Sequence, residues 1–363
     1  MSNKIIQNVT LLIITILVFI LFLEMAARAF VFFLPKYACY TYSDPEDAFL
    51  CEQGQQLLKS LEGSLTLKQN QDICDKWDSE LGWVPKPNCR TAKYSTNSKG
   101  IRGEKEFNLK KSKKRTVILG DSFTWGENNL ENETYPFFLD RLYNGSVDVL
   151  NMGVHGYGPD QFYLYFMRDG IKYEPDAVVF GLFLPDIHRT LFKFRYYFKP
   201  RFILKNGGIK LDPESLPIPD LKTSVQKYYE IRGKGRFYSL SFLYFSYTKF
   251  VRLATAYEKE TELTLKIIEQ MDKELKKDNI KLVVVLIPEQ EMVEKGNTNY
   301  YGVVPKIIKG LDEKGIDYIN LQPVFKKETE LNKRSLYQGH LKPLGNQIIA
   351  NELYAHLNGV LSK

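Results

Sequence analysis

At 363 residues, with 44% hydrophobic and 26% charged residues, the chain is long enough for one large domain or two modest ones with a real apolar core. The formal charge of +7 is mildly basic and scattered; its densest cluster, KKSKKR at 110–115, reads as a solvated loop before a buried strand rather than a nucleic-acid patch. There is no zinc-finger or RNA-binding signature, no Gly-rich phosphate loop and no His/Asp/Glu cluster at metal-ligand spacing, so no cofactor, metal or nucleic acid is expected.

The N-terminus is apolar almost without interruption from Ile5 to Leu23, which as a helix spans roughly 28 Å, close to a hydrocarbon core of about 30 Å. Glu24 and Arg28 follow at i,i+4 and can pair, and Pro35 ends the helix. We expect residues 1–35 to be a transmembrane anchor that meets the membrane through residues 5–34. A cleaved signal peptide is the competing reading, because Ala27-Arg28-Ala29 imitates a cleavage site, but cleavage would leave FVFFL as a new apolar terminus.

Residues 36–108 form a polar lead-in region that contains all four cysteines: Cys39, Cys51, Cys74 and Cys89. An even, clustered set without zinc spacing suggests two disulfides, of unassigned pairing, and hence an oxidising compartment. The positive-inside bias of Lys4 against Arg28 and Lys36 leans weakly the other way. The cysteines outweigh it, and an extracytoplasmic body is expected.

From residue 109 to 363 apolar runs alternate with helical periodicity. Buried strands are predicted at Thr116–Leu119, Val147–Leu150, Ala177–Leu182, Lys281–Ile287 and Asp317–Leu321. Helices are predicted over 133–144, 160–170, 260–278 and 343–357; the third carries Leu263, Ile267, Met271 and Leu275 as one stripe. Such alternation predicts an α/β domain in which a five-stranded parallel sheet is covered by helices on both faces. An insertion at about 190–257 interrupts it, with a hairpin signal at Asn206-Gly207-Gly208 and an aromatic run at 237–250 read as a packing helix.

Ligands of open parallel sheets bind beyond the carboxyl ends of the strands. Ser122, in GDSFTWG (120–126), lies just past the first strand, and NMGVHG (151–156) follows the second. His340 lies in a loop before the last helix, whereas His155 and His188 are weaker candidates and His356 a packing or surface residue.

These segments together resemble the SGNH/GDSL hydrolases, especially their membrane-anchored bacterial members. GDSFTWG is similar to the block that carries the serine, NMGVHG to the second block, PDAVVFGLFLPD (175–186) to the third, and GHLKPLGNQIIA (339–350) to the block of the catalytic histidine. The resemblance covers roughly 81–357 apart from the insertion, and implies a flavodoxin-like three-layer fold. It assigns Ser122 as nucleophile, His340 as general base, and the N–H groups of Ser122 and Gly156 as oxyanion donors. Asp121, Asn151, Asp186 and Gln338 are candidates for support. Two positions depart from the family: Pro185 stands where an oxyanion Asn is usual, and Tyr337 and Gln338 stand where the orienting acid is usual.

The resemblance implies an anchored serine esterase that removes O-acyl groups, O-acetyl above all, from envelope or extracellular glycans through a Ser122–His340 dyad. Acyl transfer to a glycan by the same residues is one alternative; a non-catalytic fold that binds a glycan or a partner, such as the machinery of an envelope polysaccharide, is another.

Overall fold

Five parallel strands carry the molecule: β3 (Lys114–Gly120), β4 (Val147–Gly153), β5 (Ala177–Phe183), β8 (Lys281–Ile287) and β9 (Tyr318–Asn320), in spatial order β4-β3-β5-β8-β9. Every one of the five predicted strands is present, and the order places the chain reversal at β3, the strand that leads to Ser122. The computed structural model describes residues 2–33, 74–193, 195, 197–220, 223, 247, 257–295 and 302–361. They fall into two units, one of residues 1–68 and 221–255, the other of 69–220 and 256–363.

The strands are apolar on both faces because helices cover both. On one face Val117, Leu119, Phe180 and Val284 pack against α4 (Pro159–Arg168), α5 (Glu258–Lys277) and α7 (Val303–Glu313). On the other, Ile118, Val179, Val283 and Val285 meet α3 (Tyr135–Tyr143), α8 (Gln322–Asn332) and α9 (Pro343–Leu361). Side chains of period two thus divide between two cores, giving three layers.

The stripe read in the sequence of α5 is buried from Leu263 to Leu275. Helices α7 and α8 were not assigned from the sequence. Pro305 and Pro323 argue against them, yet each lies in a first turn, where a missing N–H leaves no helical bond unmade. Strand β4 also runs three residues further than predicted, so Asn151 lies inside the strand rather than after it: it pairs in register with Ile118, and Gly153 pairs with Gly120. The hairpin β6 (Phe202–Lys205) and β7 (Gly208–Leu211) turns at Asn206 and Gly207, both with positive φ, as the Asn-Gly signal requires. The aromatic run at 237–250 lies, apart from Tyr247, outside the described residues.

The lead-in region is more ordered than its composition suggested. From Cys74 onward it forms the hairpin β1 (Asp75–Asp78) and β2 (Gly82–Pro85), closed by a Cys74–Cys89 disulfide. Cys39 and Cys51 lie outside the described residues. The basic cluster is met by carboxylates: Lys111 and Lys114 reach Asp176 (2.9 and 3.4 Å), Lys113 reaches Asp148 (3.2 Å), and Arg115 is buried.

In the other unit, α1 (Ser2–Phe33) is a continuous helix in which Arg28 pairs with Glu24 at 2.8 Å, as its spacing predicts. Within Lys4–Ala29 an 18-residue window has a mean hydropathy of 2.8, so the helix is long and apolar enough to cross a membrane, a property that signal sequences share.

One buried cation ties the insertion to the core. The Lys199 ammonium, fully enclosed, donates to the Asp160 carboxylate and to the carbonyls of Arg189 (3.2 Å), Phe192 (3.3 Å) and Pro200 (3.0 Å). Replacement by Lys199→Met would leave the Asp160 carboxylate buried without its partner, a loss of about 3–5 kcal/mol. Chemical denaturation of the full chain should show that loss, and should show part of it regained in Lys199→Met/Asp160→Asn.

Candidate active site

The helix α2 (Ser122–Trp125) lies directly across three strands near their carboxyl ends, which is sterically allowed only because each strand carries a glycine at that level. Gly120 pairs in register with Gly153 on one side and with Gly181 on the other. A Cβ on Gly153 would stand 2.4 Å from the Trp125 nitrogen, and one on Gly120 or Gly181 would meet the Thr124 hydroxyl at 1.9 or 2.6 Å. The row of three glycines is therefore a floor cut to the height of α2. Asp121 caps the helix by accepting from the Phe123 N–H (3.0 Å), and Gly126 ends it in the left-handed region.

On that floor Ser122 Oγ sits 2.9 Å from His340 Nε2, although 218 residues separate them. Ser122 is almost buried. His340 begins β11 (His340–Leu341), which pairs with β10 (Tyr337–Gln338) around Gly339, and its ring packs 5.0 Å from that of Phe123. Burial holds the His340 pKa below its ordinary value, against the opposing fields of Asp121 and Glu127. The imidazole is accordingly neutral near pH 7 and can accept a proton.

The other ring nitrogen, Nδ1, faces the side-chain amide of Asn128, with Nδ2 at 3.4 Å; a half-turn of the amide presents its oxygen to Nδ1–H instead. The neighbouring Asn129 is buried and donates to Leu341 O at 2.8 Å, so the stretch that follows Ser122 also grips the histidine strand. Gln338, a candidate for supporting the imidazole, pairs with His340 across the β10–β11 turn, but its side chain is exposed and makes no hydrogen bond to the His340 ring among the described residues. The tight β10–β11 turn projects it elsewhere. Asn128 and Asn129 were missed in the sequence; the only trace was an Asn pair just after the serine block.

The remaining candidates lie beneath the dyad. Asp121 Oδ2 accepts from Ser122 Oγ (3.2 Å) and from Arg189 Nη1 (3.4 Å). Arg189 also pairs with Asp186 and donates to Tyr157 O (2.9 Å). Asp186 is buried and turned to Arg189 rather than to the imidazole; burial and the neighbouring Asp121, against the opposing field of Arg189, push its pKa well up. Asn151 spans Thr124 O (3.1 Å) and the Gly153 N–H (3.0 Å), fastening α2 to the end of β4. Pro185 opens the helical turn Leu184–Leu191 and brings no donor.

Gly156, with φ of +78°, follows His155 in the loop after β4, and its N–H has no acceptor among the described residues. The lead-in hairpin braces this loop from three sides. His155 Nε2 pairs with Asp75, Trp83 Nε1 donates to His155 O (3.0 Å), and the Tyr157 hydroxyl donates to Trp83 O. Although burial would lower the His155 pKa, the Asp75 carboxylate holds it above the ordinary value. His188 packs against Phe192, and His356 pairs with Asp317 at 2.9 Å.

No protein-family model matches the chain, and no curated protein matches it. Among solved structures it is similar to the acetyl xylan esterase AlAXEase, at 14% identity and a TM-score of 0.42 over 67% of this chain and 99% of that one. It is also similar to a protein of the G-D-S-L lipolytic family from Desulfitobacterium hafniense DCB-2, at 14% identity and a TM-score of 0.36 over 65% of this chain and 95% of that one. An acetyl-xylooligosaccharide esterase from Geobacillus stearothermophilus matches at 13% identity and a TM-score of 0.39, over 67% of this chain and 94% of that one. The fold itself is a three-layer α/β arrangement around a five-stranded parallel sheet. Identities and scores this low assign no activity, and the catalytic reading rests on the geometry of this chain.

Two outcomes follow from this geometry. Gly153→Ala must displace the backbone of α2, so it should lower the melting temperature and destroy the Ser122–His340 contact, visible as a changed His340 imidazole resonance by NMR. His155 is raised above its unfolded value near 6.5, so the stabilisation by Asp75 is full below that pH and fades as pH climbs through the folded-state value. The melting-temperature gap between wild type and Asp75→Asn should therefore be widest in acid and narrow in alkali.

Proposed function

We propose that the chain is a membrane-anchored serine esterase of the SGNH/GDSL type, acting outside the cytoplasm on O-acyl groups, O-acetyl in particular, of envelope or extracellular glycans. The observation that carries the reading is the 2.9 Å contact between Ser122 Oγ and His340 Nε2 at the carboxyl edge of the sheet. The anchor reading draws on the apolar α1, and the compartment on the Cys74–Cys89 disulfide. The acyl and glycan classes come from the resemblance carried by the four sequence blocks.

In this reading Ser122 Oγ attacks the ester carbonyl carbon while its proton passes to His340 Nε2. The oxyanion of the tetrahedral intermediate is met by the N–H groups of Ser122, at the start of α2, and Gly156. As the carbon–oxygen bond to the leaving alcohol breaks, Nε2–H returns its proton to that oxygen, leaving acyl-Ser122. Water then attacks the acyl carbon, giving its proton to Nε2, and Ser122 departs with that proton as the free acid forms. Asn128 stands in for the usual acid as a neutral partner of Nδ1–H, in the manner of a Ser-His-Asn triad. With Pro185 in place of an amide donor, turnover is slower by about a hundred- to a thousandfold than with a full oxyanion site.

Hydrolysis of p-nitrophenyl acetate by the detergent-solubilised full chain tests the proposal. Ser122→Ala and His340→Ala should abolish turnover, and a fluorophosphonate should label the wild type but not Ser122→Ala. Asn128→Ala should lower kcat, and Asn128→Asp, which restores a carboxylate, should raise it. Because the His340 pKa is depressed, kcat/KM should rise with pH along a limb whose midpoint lies below 6.5. Neither turnover nor labelling in the wild type would leave a non-catalytic binding protein.

A further inference from the structure

A cavity of about 350 Å³ opens between the lead-in region and the far end of α4, and none of its lining residues is Ser122, Gly156 or His340. Its volume is in the range of small-molecule sites. The floor and walls are apolar, with Met152, Ile101 and Val84 among the residues that form them.

Two features of the lining are unsatisfied. Tyr165 and Tyr173 are each only 5% exposed and both line the cavity, yet among the described residues neither hydroxyl has a hydrogen-bond partner. Neither belongs to the enclosed polar atoms left without a partner, so both hydroxyls open onto accessible space. The second feature is charge. Arg168 is committed to Asp78 (2.8 Å) and Asp169 (2.8 Å), and Lys172 to Asp169 (3.1 Å). Lys76 and Lys99 also line the cavity and form no salt bridge among the described residues, although the Glu106 carboxylate acts on Lys99 from a distance, so the mouth holds two cations outside any ion pair.

We infer that this cavity is a binding site for an anionic sugar, carboxylated or phosphorylated, separate from the Ser122 site. The negative group answers Lys76 and Lys99. A purely hydrocarbon body would strand the two tyrosine hydroxyls, and a bare inorganic anion would leave the apolar floor uncovered. A sugar ring supplies hydroxyls for Tyr165 and Tyr173 and an apolar face for Met152 and Ile101.

The test is calorimetric titration of the detergent-solubilised full chain with glucuronate, glucose 1-phosphate, glucose and inorganic phosphate. At least one of the two anionic sugars should bind saturably and at least tenfold tighter than glucose or inorganic phosphate. Lys76→Glu/Lys99→Glu should weaken that binding at least tenfold with an unchanged melting temperature, since both side chains are exposed. Tyr165→Phe and Tyr173→Phe should each weaken it severalfold, and Ser122→Ala should not alter it, which separates this site from the catalytic proposal. The inference is overturned if neither anionic sugar binds, if inorganic phosphate binds as tightly (surface charge only), or if the lysine double variant binds like the wild type.

Discussion

The architecture of the site depends on a steric constraint near the carboxyl ends of three strands. Gly153, Gly120 and Gly181 stand side by side on β4, β3 and β5, and α2 rests on them with its backbone and Thr124 where any Cβ would intrude. A helix that crosses a sheet this closely exposes its first N–H groups and its first side chain at the sheet edge. That side chain is Ser122. Any larger residue in the row would lift α2 and with it the hydroxyl, so the row sets the height at which Ser122 meets an imidazole from the far end of the chain.

Beneath and beside that floor, polar side chains do the fastening that a hydrophobic core alone cannot do. Asp121 caps α2, touches the serine hydroxyl and shares Arg189 with Asp186, so one buried cluster joins the Ser122 turn to the segment after β5. Lys199 extends the same fastening into the insertion through Asp160 and three carbonyls. Each of these groups would be costly if left alone in the interior; matched, they hold geometry. The lead-in hairpin belongs to this scheme too: through Asp75 and Trp83 it holds the loop of Gly156, so a region of unpromising composition is part of the wall of the site.

Much of the fold is legible along the chain because buried parallel strands are short, continuous apolar runs, and β3, β5 and β8 are of that kind. The stripe of α5 and the Asn-Gly turn of β6–β7 are equally local signals. Local reading fails where a signal has two meanings. Pro305 and Pro323 look like helix breakers but sit in first turns, and the polar, Gly- and Pro-containing stretch around β1 and β2 gives no strand pattern although it pairs there. In the site, Ser122 and His340 were legible from their blocks and their places at strand ends. Asn128, Asn129, Arg189 and Asp75 were not, since a polar residue in a loop looks the same in sequence whether it faces solvent or a buried partner.

The amino-acid sequence by itself determined the α/β plan and the apolar N-terminal helix, because period-two and period-3.6 patterns are properties of neighbouring residues; Ser122 and His340 stood out through the resemblance of their blocks and their places along the chain. Only the tertiary structure decided that Ser122 and His340 lie 2.9 Å apart, that Asn128 rather than Gln338 faces Nδ1, that Arg189 joins Asp186 to Asp121, and that Cys74 joins Cys89. Those contacts join residues distant along the chain, and their partners are selected by where the strands, once packed, bring them together.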